Sequence, residues 1–233
     1  MTEQIVALGG GGFWLNESPL LDDFLLEVVA RPRPKVCFLG TASGDAERYV
    51  RRFYEEFGKR DCRPSHFPLF SAAPAPLREH LLEQDLIYVG GGMTANMLVL
   101  WRFHGVGGVL RDAWRNGSVL AGSSAGAICW FEDGLTASHG GAPTPLGDGL
   151  GLLPGSFCPH YRDDEERTQI YRSLVGGALP GGIGASDHTA VLFHGGEVAE
   201  VVSTRRGAGA WKVSRTGEEA LEVRFLRRQT ELP

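Results

Sequence analysis

The sequence predicts an α/β fold in which a mostly parallel sheet is flanked by helices and antiparallel strands follow near the C-terminus. Short, continuously apolar runs alternate with helical periodicity over residues 1–130, and such strands are typical of a parallel sheet covered on both faces. Glycine clusters directly follow several of these runs and predict tight turns there. After residue 190 the strands are short and joined by glycines, which is typical of hairpins.

The elements can be assigned in order along the chain. Buried strands are predicted at residues 5–8, 36–39, 65–69, 86–89 and 118–121. Helices are predicted at residues 19–30, 77–82, 95–102 and 109–115, and in a segment that carries Tyr49, Val50, Phe53 and Phe57 on one face. Thr41 or Ser43 is expected to cap the helix of Tyr49. Residues 190–193 and 198–202 are predicted to form a hairpin, and residues 211–213 and 221–226 to be further antiparallel edge strands.

The composition narrows the class of protein. The 233 residues show no repeat, linker or low-complexity segment, so residues 1–233 are interpreted as one domain. A net charge of -5 argues against nucleic-acid binding, which needs an excess of Lys and Arg. The longest apolar runs are only as long as strands, so no membrane span is expected. The N-terminus lacks the basic segment of a signal peptide and the four cysteines show no CxxC spacing, so we expect a cytoplasmic protein with reduced thiols.

Residues 122–126, Gly-Ser-Ser-Ala-Gly, match the pattern G-x-S-x-G. A serine hydroxyl is a weak nucleophile that has to project from the backbone towards a base, and a sharp turn between a strand and a helix projects it. A predicted strand precedes the motif, and the apolar residues 127–130 favour a helix start after it. The free N–H groups of that helix would face a developing oxyanion. The motif therefore predicts that Ser124 is the nucleophile.

A second glycine run, residues 90–92, also lies between a buried strand and a helix. An acyl-transfer site needs a second oxyanion donor from a neighbouring loop, and exposed glycine N–H groups suit that role. Residues 90–95 also match the loose dinucleotide pattern G-x-G-x-x-G/A. That pattern belongs on the first strand of its unit, with an acidic residue at the end of the next strand, whereas here the next strand ends in residues 122–124. The run at residues 9–12 lacks the third small residue, so we favour an oxyanion role over a dinucleotide or phosphate role.

The base and the acid are not fixed by pattern alone. Among seven histidines, His160 lies in a loop before a polar helix and His188 belongs to the late strands. Asp187 ends a predicted strand, and a carboxylate there is well placed to orient an imidazole. The residues leave two arrangements open, which are His160 with Asp187, and His188 with Asp163 or Asp164.

Four motifs occur in a characteristic order along the chain. They are Val-Gly-Gly-Gly-Met-Thr at residues 89–94, Ala-Gly-Ser-Ser-Ala-Gly-Ala at 121–127, Pro-His-Tyr at 159–161 and Gly-Ala-Ser-Asp at 184–187. With them the chain resembles, over nearly its whole length, the peptidase E (α-aspartyl dipeptidase) family, the S51 serine peptidases, which also includes cyanophycinases. The resemblance implies a class I glutamine amidotransferase-like, flavodoxin-like fold and the chain order Ser, His, acid.

The resemblance also implies roles for individual residues. By position, Ser124 would be the nucleophile, His160 the base and Asp187 the orienting acid. The N–H groups of Gly91 or Gly92 and of Ala125 would form the oxyanion hole.

The chain departs from the family's aspartyl-specific members at several positions. Asp187 stands where the dipeptidases often carry Glu, and Met93 stands where they carry Asn. After His160, their Gly-Glu-Thr-Arg-like stretch is replaced by four acids at residues 163–166 and then Arg167. Either carboxylate can hold an imidazolium, so the first change affects geometry more than identity.

Charged residues after the histidine predict how a substrate is bound. An acidic side chain at P1, the residue before the scissile bond, is bound best by a guanidinium held in a fixed position. Arg167, or else Arg162 or Arg172, would supply it. A carboxylate such as Glu166 or Asp163 is expected to bind the cationic amino group of the substrate, and the alternative is that these acids only solvate a helix N-terminus.

The predicted function is a serine exopeptidase that hydrolyses short peptides, a dipeptidase with a preference for N-terminal Asp. One alternative is a cyanophycinase-like or broader-specificity peptidase of the same family, and another is a catalytically silent, ligand-binding protein of the same fold. No cofactor or metal is expected, since no His or acidic spacing matches a zinc motif such as H-E-x-x-H. The expected partner is a small peptide, with no nucleic acid and no membrane, and the chain is compatible with a homodimer.

Overall fold

The computed structural model describes residues 3–14, 19–73 and 75–227 of the chain. The strands are β1 (Gln4–Leu8), β2 (Lys35–Leu39), β3 (Arg63–His66), β4 (Leu86–Val89), β5 (Val119–Ser123), β6 (Phe131–Thr136), β7 (Thr144–Pro145), β8 (Leu153–Pro159), β9 (Gly182–Ala185), β10 (Thr189–His194), β11 (Glu197–Ser203), β12 (Ala210–Ser214), β13 (Gly217–Ala220) and β14 (Arg224–Phe225). The helices are α1 (Leu20–Val29), α2 (Glu47–Phe57), α3 (Leu77–Leu82), α4 (Thr94–His104), α5 (Val106–Arg115), α6 (Ala125–Ile128) and α7 (Glu165–Leu174), with 3-10 turns at Gly12–Trp14 and Thr41–Ser43.

The larger sheet has eight strands in the order β14-β11-β10-β1-β5-β4-β2-β3. Strands β1, β5, β4, β2 and β3 pair in parallel, whereas β10 pairs antiparallel with both β1 and β11. Alternate residues of β1 belong to different apolar clusters, one on each face of the sheet. The predicted fold class, a mostly parallel sheet between helices with antiparallel strands towards the C-terminus, is therefore confirmed.

A second sheet of six strands has the order β13-β12-β9-β8-β6-β7 and was not predicted as a unit. Two predicted edge strands differ from the structure because of it. The strand predicted at residues 211–213 is β12, which lies between β9 and β13 rather than at an edge. The strand predicted at residues 221–226 is wrong in extent and direction, since only Arg224 and Phe225 pair, and they pair in parallel with β11. The strand that forms a hairpin with β12 is β13, which ends at Ala220, before the predicted residues 221–226 begin.

The expected cap of the Tyr49 helix is also wrong. Thr41 and Ser43 lie in a 3-10 turn, and Gly44 and Asp45 then adopt positive φ angles that separate this turn from the helix. Helix α2 begins after Ala46 without a side-chain cap. The Thr41 hydroxyl instead accepts a hydrogen bond from the Trp101 indole at 3.1 Å.

An aromatic cluster under the sheet fixes two segments that reach the site described below. The Phe13 ring packs edge-on against Phe38 and Tyr88 and lies 5.3 Å from the Tyr49 ring, centroid to centroid. The buried carboxylate of Asp22 accepts the Phe13 N–H at 3.2 Å. The glycine run after β1 and the start of α2 are thereby held in one position.

None of the helices in these described ranges is long and apolar enough to cross a membrane.

Candidate active site

Ser124 lies on the turn between β5 and α6, with φ 54° and ψ -111°. A non-glycine residue with a positive φ is strained, and such strain is typical of a serine presented on a strand-to-helix turn. The flanking glycines allow the turn to close. A Cβ at Gly122 would lie 2.0 Å from the Gly126 carbonyl oxygen, and a Cβ at Gly126 would lie 2.2 Å from the Val89 carbonyl oxygen. The G-x-S-x-G spacing is therefore required by backbone contact on both sides of the serine.

Ser124, His160 and Asp187 form one hydrogen-bonded row. The Ser124 Oγ lies 2.9 Å from the His160 Nε2, and the His160 Nδ1 lies 2.6 Å from an Asp187 carboxylate oxygen. His160 directly follows β8 and Asp187 closely follows β9, and these two strands are parallel neighbours whose carboxyl ends meet. The serine comes from the other sheet, so the row joins the two sheets.

The sequence left a second arrangement open, of His188 with Asp163 or Asp164. The backbone N–H of His188 donates to the Gly10 carbonyl at 3.0 Å, and its side chain is 8% exposed. The Asp164 side chain caps α7 by accepting the Arg167 backbone N–H. Of the two histidines, it is His160 whose ring nitrogens meet both the Ser124 hydroxyl and a carboxylate.

The Asp187 carboxylate lies in an electropositive environment. Burial disfavours its charge, but the hydrogen bond from His160 and the nearby charges of His160, His188 and Arg205 outweigh burial and lower the pKa of Asp187 below its ordinary value. Its backbone N–H donates to an Asp163 carboxylate oxygen at 2.7 Å, and Asp163 forms an ion pair with Arg205. Asp187 therefore stays ionised at neutral pH, as a partner of an imidazolium must.

The glycine run after β4 lies beside the serine, as expected for an oxyanion hole. A Cβ at Gly91 would lie 3.5 Å from the Ser124 Cβ, but the Gly91 N–H donates to the Tyr49 hydroxyl at 3.1 Å. Gly92 has φ 141°, and a Cβ there would lie 2.1 Å from the Ala42 carbonyl oxygen, so only glycine is accommodated. Ala125 opens α6, and the first N–H groups of a helix have no partner within it. The geometry thus favours Gly92 and Ala125 as the two donors, with Tyr49 holding Gly91.

Two glycines of the run after β1 lie against this row. The run at residues 9–12 does not match the dinucleotide pattern, and its Gly9 carbonyl accepts the His160 backbone N–H at 3.1 Å. A Cβ at Gly10 would lie 1.9 Å from the Asp187 Oδ1 and 3.0 Å from the His160 Cε1. The signal in the sequence was a glycine run after a buried strand, but the contacts that explain it join residues far apart in the chain.

Gly10→Ala is expected to lower kcat by about 100-fold or more, because a displacement of about 1 Å in a catalytic group has an effect of this size. The added methyl overlaps the Asp187 oxygen, which is already fixed by its hydrogen bond to His160. Steady-state kinetics on a peptide substrate give the result. Gly108→Ala is the matched control, since a Cβ at Gly108 meets nothing within 4 Å. Unchanged kcat in Gly10→Ala would contradict the proposed role of the Asp187 position.

The serine opens onto a cleft of about 710 Å³. One wall carries Trp14, Arg48 and Tyr49, and Phe70 also faces the cleft. A separate cavity of about 80 Å³ meets the serine from the side of α6 and is lined by Thr94, Ile128, Thr136 and Arg167, among others. Ser124, Gly92 and Met93 line both spaces, so a peptide bound across the serine would occupy both.

The predicted substrate-binding residues are not all at the site. Arg167 is 9% exposed and lines the small cavity beside the serine, and its Nη1 donates to the Leu135 carbonyl at 3.0 Å. Its Nε is buried, makes no hydrogen bond in the described part of the chain, and lies 3.7 Å from an Asp164 carboxylate oxygen as an ion pair. Glu166 is exposed, and Asp163 contacts the backbone of Asp187 as described above.

The other two candidate arginines, Arg162 and Arg172, lie away from the serine's cavities. Arg162 and Arg172 both pair with Glu218, which also accepts a hydrogen bond from the Tyr161 hydroxyl. Both guanidinium charges are therefore paired with a carboxylate of β13 in the second sheet. Arg167 is the one of the three candidate arginines that lines a space next to Ser124.

The comparisons with known proteins define the class of this chain. The profile of peptidase family S51 matches residues 5–201, and the chain belongs to that family. The family resemblance predicted from the motifs is therefore confirmed. A curated relative from Bacillus subtilis (strain 168), named "Uncharacterized peptidase YgaJ", is 45% identical over 223 residues, which cover 95% of this chain and 96% of the relative.

Solved structures with the same fold are also peptidases by their titles. A peptidase from an acI-B1 Actinobacterium superposes with a TM-score of 0.72 at 19% identity, covering 96% of this chain and 95% of that one. A putative peptidase E protein from Listeria monocytogenes EGD-e superposes with a TM-score of 0.63 at 20% identity, covering 85% of this chain and 97% of that one. At these identities the similarity is one of fold. The family membership makes this chain a peptidase of family S51.

Proposed function

We propose that this peptidase is a serine exopeptidase that cleaves dipeptides through Ser124, His160 and Asp187. The observation that carries the proposal is the hydrogen-bonded row of these three side chains, with the serine on a strained turn. A hydroxyl, an imidazole and a carboxylate in this order are the parts that nucleophilic acyl transfer needs.

The proposed reaction begins at the serine. The His160 Nε2 takes the proton of the Ser124 hydroxyl as its oxygen attacks the carbonyl carbon of the scissile bond. The negative charge on the carbonyl oxygen is held by the N–H groups of Gly92 and Ala125. His160 then gives its proton to the leaving amine, and the bond from carbon to nitrogen breaks. Water, deprotonated by His160, then attacks the acyl carbon, the bond from that carbon to the Ser124 Oγ breaks, and His160 returns the proton to the serine oxygen. Asp187 stabilises the imidazolium in both steps.

Labelling with a fluorophosphonate tests this proposal. A phosphonate reacts with a serine that a base activates and leaves ordinary serines unmodified. We expect one equivalent of label, mapped by mass spectrometry to Ser124, together with hydrolysis of unblocked dipeptides. A protein that takes up no label and hydrolyses no peptide would instead be the catalytically silent alternative.

Arg167 is proposed to select an aspartyl side chain at P1. Its guanidinium is almost wholly buried at the wall of the small cavity, and its Nε makes no hydrogen bond in the described residues. Its ion pair is with the half-exposed Asp164 carboxylate, at a long 3.7 Å. A buried guanidinium gains most from an anionic ligand that it can bind with two hydrogen bonds. A cavity of about 80 Å³ suits a short side chain such as that of Asp.

Cleavage of Asp-Leu is expected to exceed that of Ala-Leu by about 10- to 150-fold in kcat/KM, because a charge-assisted hydrogen bond contributes roughly 1.5–3 kcal/mol. Arg167→Met should remove this preference and leave Ala-Leu cleavage nearly unchanged. Arg172→Met is the matched control on the same helix, since Arg172 pairs with Glu218. Thermal unfolding of both variants checks the fold. Equal rates for Asp-Leu and Ala-Leu in the wild type would refute the role of Arg167.

Comparison with N-acetylated Asp-Leu separately tests whether the substrate needs a free amino group, as predicted if a carboxylate of residues 163–166 binds it.

A further inference from the structure

The two spaces around Ser124 differ in chemistry. The small cavity holds Arg167 and has room for one short side chain. The open cleft extends from Ser124 past Tyr49 to Trp14 and Arg48. When the P1 side chain occupies the small cavity, as in the proposed function on which this inference rests, the residue after the scissile bond has to enter the open cleft.

A continuous row of contacts leads from the serine to Arg48. Gly91, next to Ser124, donates its N–H to the Tyr49 hydroxyl. The Tyr49 ring lies 4.3 Å from the Trp14 ring, centroid to centroid, and the Arg48 guanidinium carbon lies 5.4 Å from the centre of the Trp14 ring. A guanidinium that stacks on an aromatic ring is restrained while its N–H groups stay accessible.

The charge of Arg48 is available to a ligand. The charged or titratable side chains that line the cleft are Arg48, Tyr49, His160 and Asp187. His160 and Asp187 are hydrogen-bonded to each other, and the Tyr49 hydroxyl accepts the Gly91 N–H. Within residues 3–14, 19–73 and 75–227, Arg48 forms no ion pair, whereas Arg51 and Arg52 of the same helix both pair with Glu55. The open cleft therefore favours an anion on the leaving side of the substrate.

We propose that Arg48, stacked on Trp14, binds the C-terminal carboxylate of the residue that leaves on cleavage. A carboxylate is the anion that every dipeptide carries on its leaving residue, and a guanidinium binds it with two parallel hydrogen bonds. The substrate class is thus short peptides with a free C-terminus. The contact lies away from the reacting atoms and is made before and during the reaction, so it acts mainly on KM.

Matched peptides with a free or an amidated C-terminus test this inference. The substrates are Asp-Leu, Asp-Leu-amide and Asp-Glu-amide, and the proteins are the wild type, Arg48→Gln and Arg51→Gln. Arg51 lies on the same helix, is exposed and pairs with Glu55, so its variant removes an equal charge outside the cleft. We expect the wild type to prefer Asp-Leu over Asp-Leu-amide by about 10-fold in kcat/KM, mainly through KM. Arg48→Gln should abolish that preference, and Arg51→Gln should keep it.

The outcomes separate the inference from the proposed function. Equal cleavage of acid and amide by the wild type, or an unchanged preference in Arg48→Gln, overturns the role of Arg48 while the peptidase proposal stands. Cleavage of Asp-Glu-amide as fast as Asp-Leu, with Asp-Leu-amide slow, assigns the anion site to a side chain and overturns the assignment to the C-terminus. No cleavage of any peptide above that of Ser124→Ala removes the proposed function and this inference with it.

Discussion

Ser124→Ala is expected to lower kcat by roughly a million-fold, because the loss of the nucleophile disables a triad whose members act as a unit. The fold should remain intact. The Ser124 side chain does not cap helix α6, and its hydroxyl meets the ring of His160 rather than a structural partner. Alanine has the same Cβ as serine, so the backbone strain of the turn at position 124 changes little. Kinetics on a dipeptide and thermal unfolding measure the two effects.

Ser123→Ala is the matched control for this prediction. Ser123 carries the same hydroxyl one position earlier, but it ends β5 and is 6% exposed. Its variant should retain most of the activity and lose fluorophosphonate labelling only slightly. If Ser123→Ala were inactive and Ser124→Ala active, the assignment of the turn would be reversed.

The larger sheet could be predicted because its strands are short, apolar runs buried on both faces. Strand β4 was predicted at residues 86–89 and occupies those residues, all of them buried. Its neighbours are separated by amphipathic helices, and this alternation by itself predicts parallel pairing. The end of the strand predicted at residues 65–69 was less well placed, since β3 spans Arg63–His66 and is only partly buried.

The second sheet could not be predicted because its strands lack a clean period. Strand β6 has the sequence FEDGLT and strand β8 the sequence LPGSFCP, and both interrupt their buried positions with exposed or partly exposed ones. Their register also shifts between Phe131 and Asp133. Both sequences contain glycine and β8 also contains proline, and these residues argue against predicting a strand from the sequence pattern. Such strands are stabilised here by pairing with partners distant in sequence.

The site divides in the same way between local and distant contacts. The turn at Ser124 is determined by residues within a few positions and was predicted from them. The choice of His160 over His188 depended on the family resemblance, since the residues alone allowed both. The run of acids at residues 163–166 showed that charge collects after the histidine, but not that Asp163 turns towards the Asp187 backbone and Asp164 towards that of Arg167.

His160 and His188 offer a matched pair of substitutions for the last prediction. Both flank the site, and both have positive φ angles, 58° and 62°. Asparagine tolerates this region of backbone space better than alanine does. The variants His160→Asn and His188→Asn thus remove each imidazole with similar effects on the backbone.

His160→Asn is expected to reduce kcat by about as much as Ser124→Ala, because the serine then has no base and the leaving amine no proton donor. His188→Asn should have a mild effect, since the hydrogen-bonded row of Ser124, His160 and Asp187 keeps all its members. The double variant Ser124→Ala/His160→Asn should be no slower than either single variant, as expected when residues act as a unit. Steady-state kinetics on one dipeptide decide the question. A mild effect of His160→Asn together with an inactive His188→Asn would show that His188 is the base and that the hydrogen-bonded row at Ser124 is not the one used in catalysis.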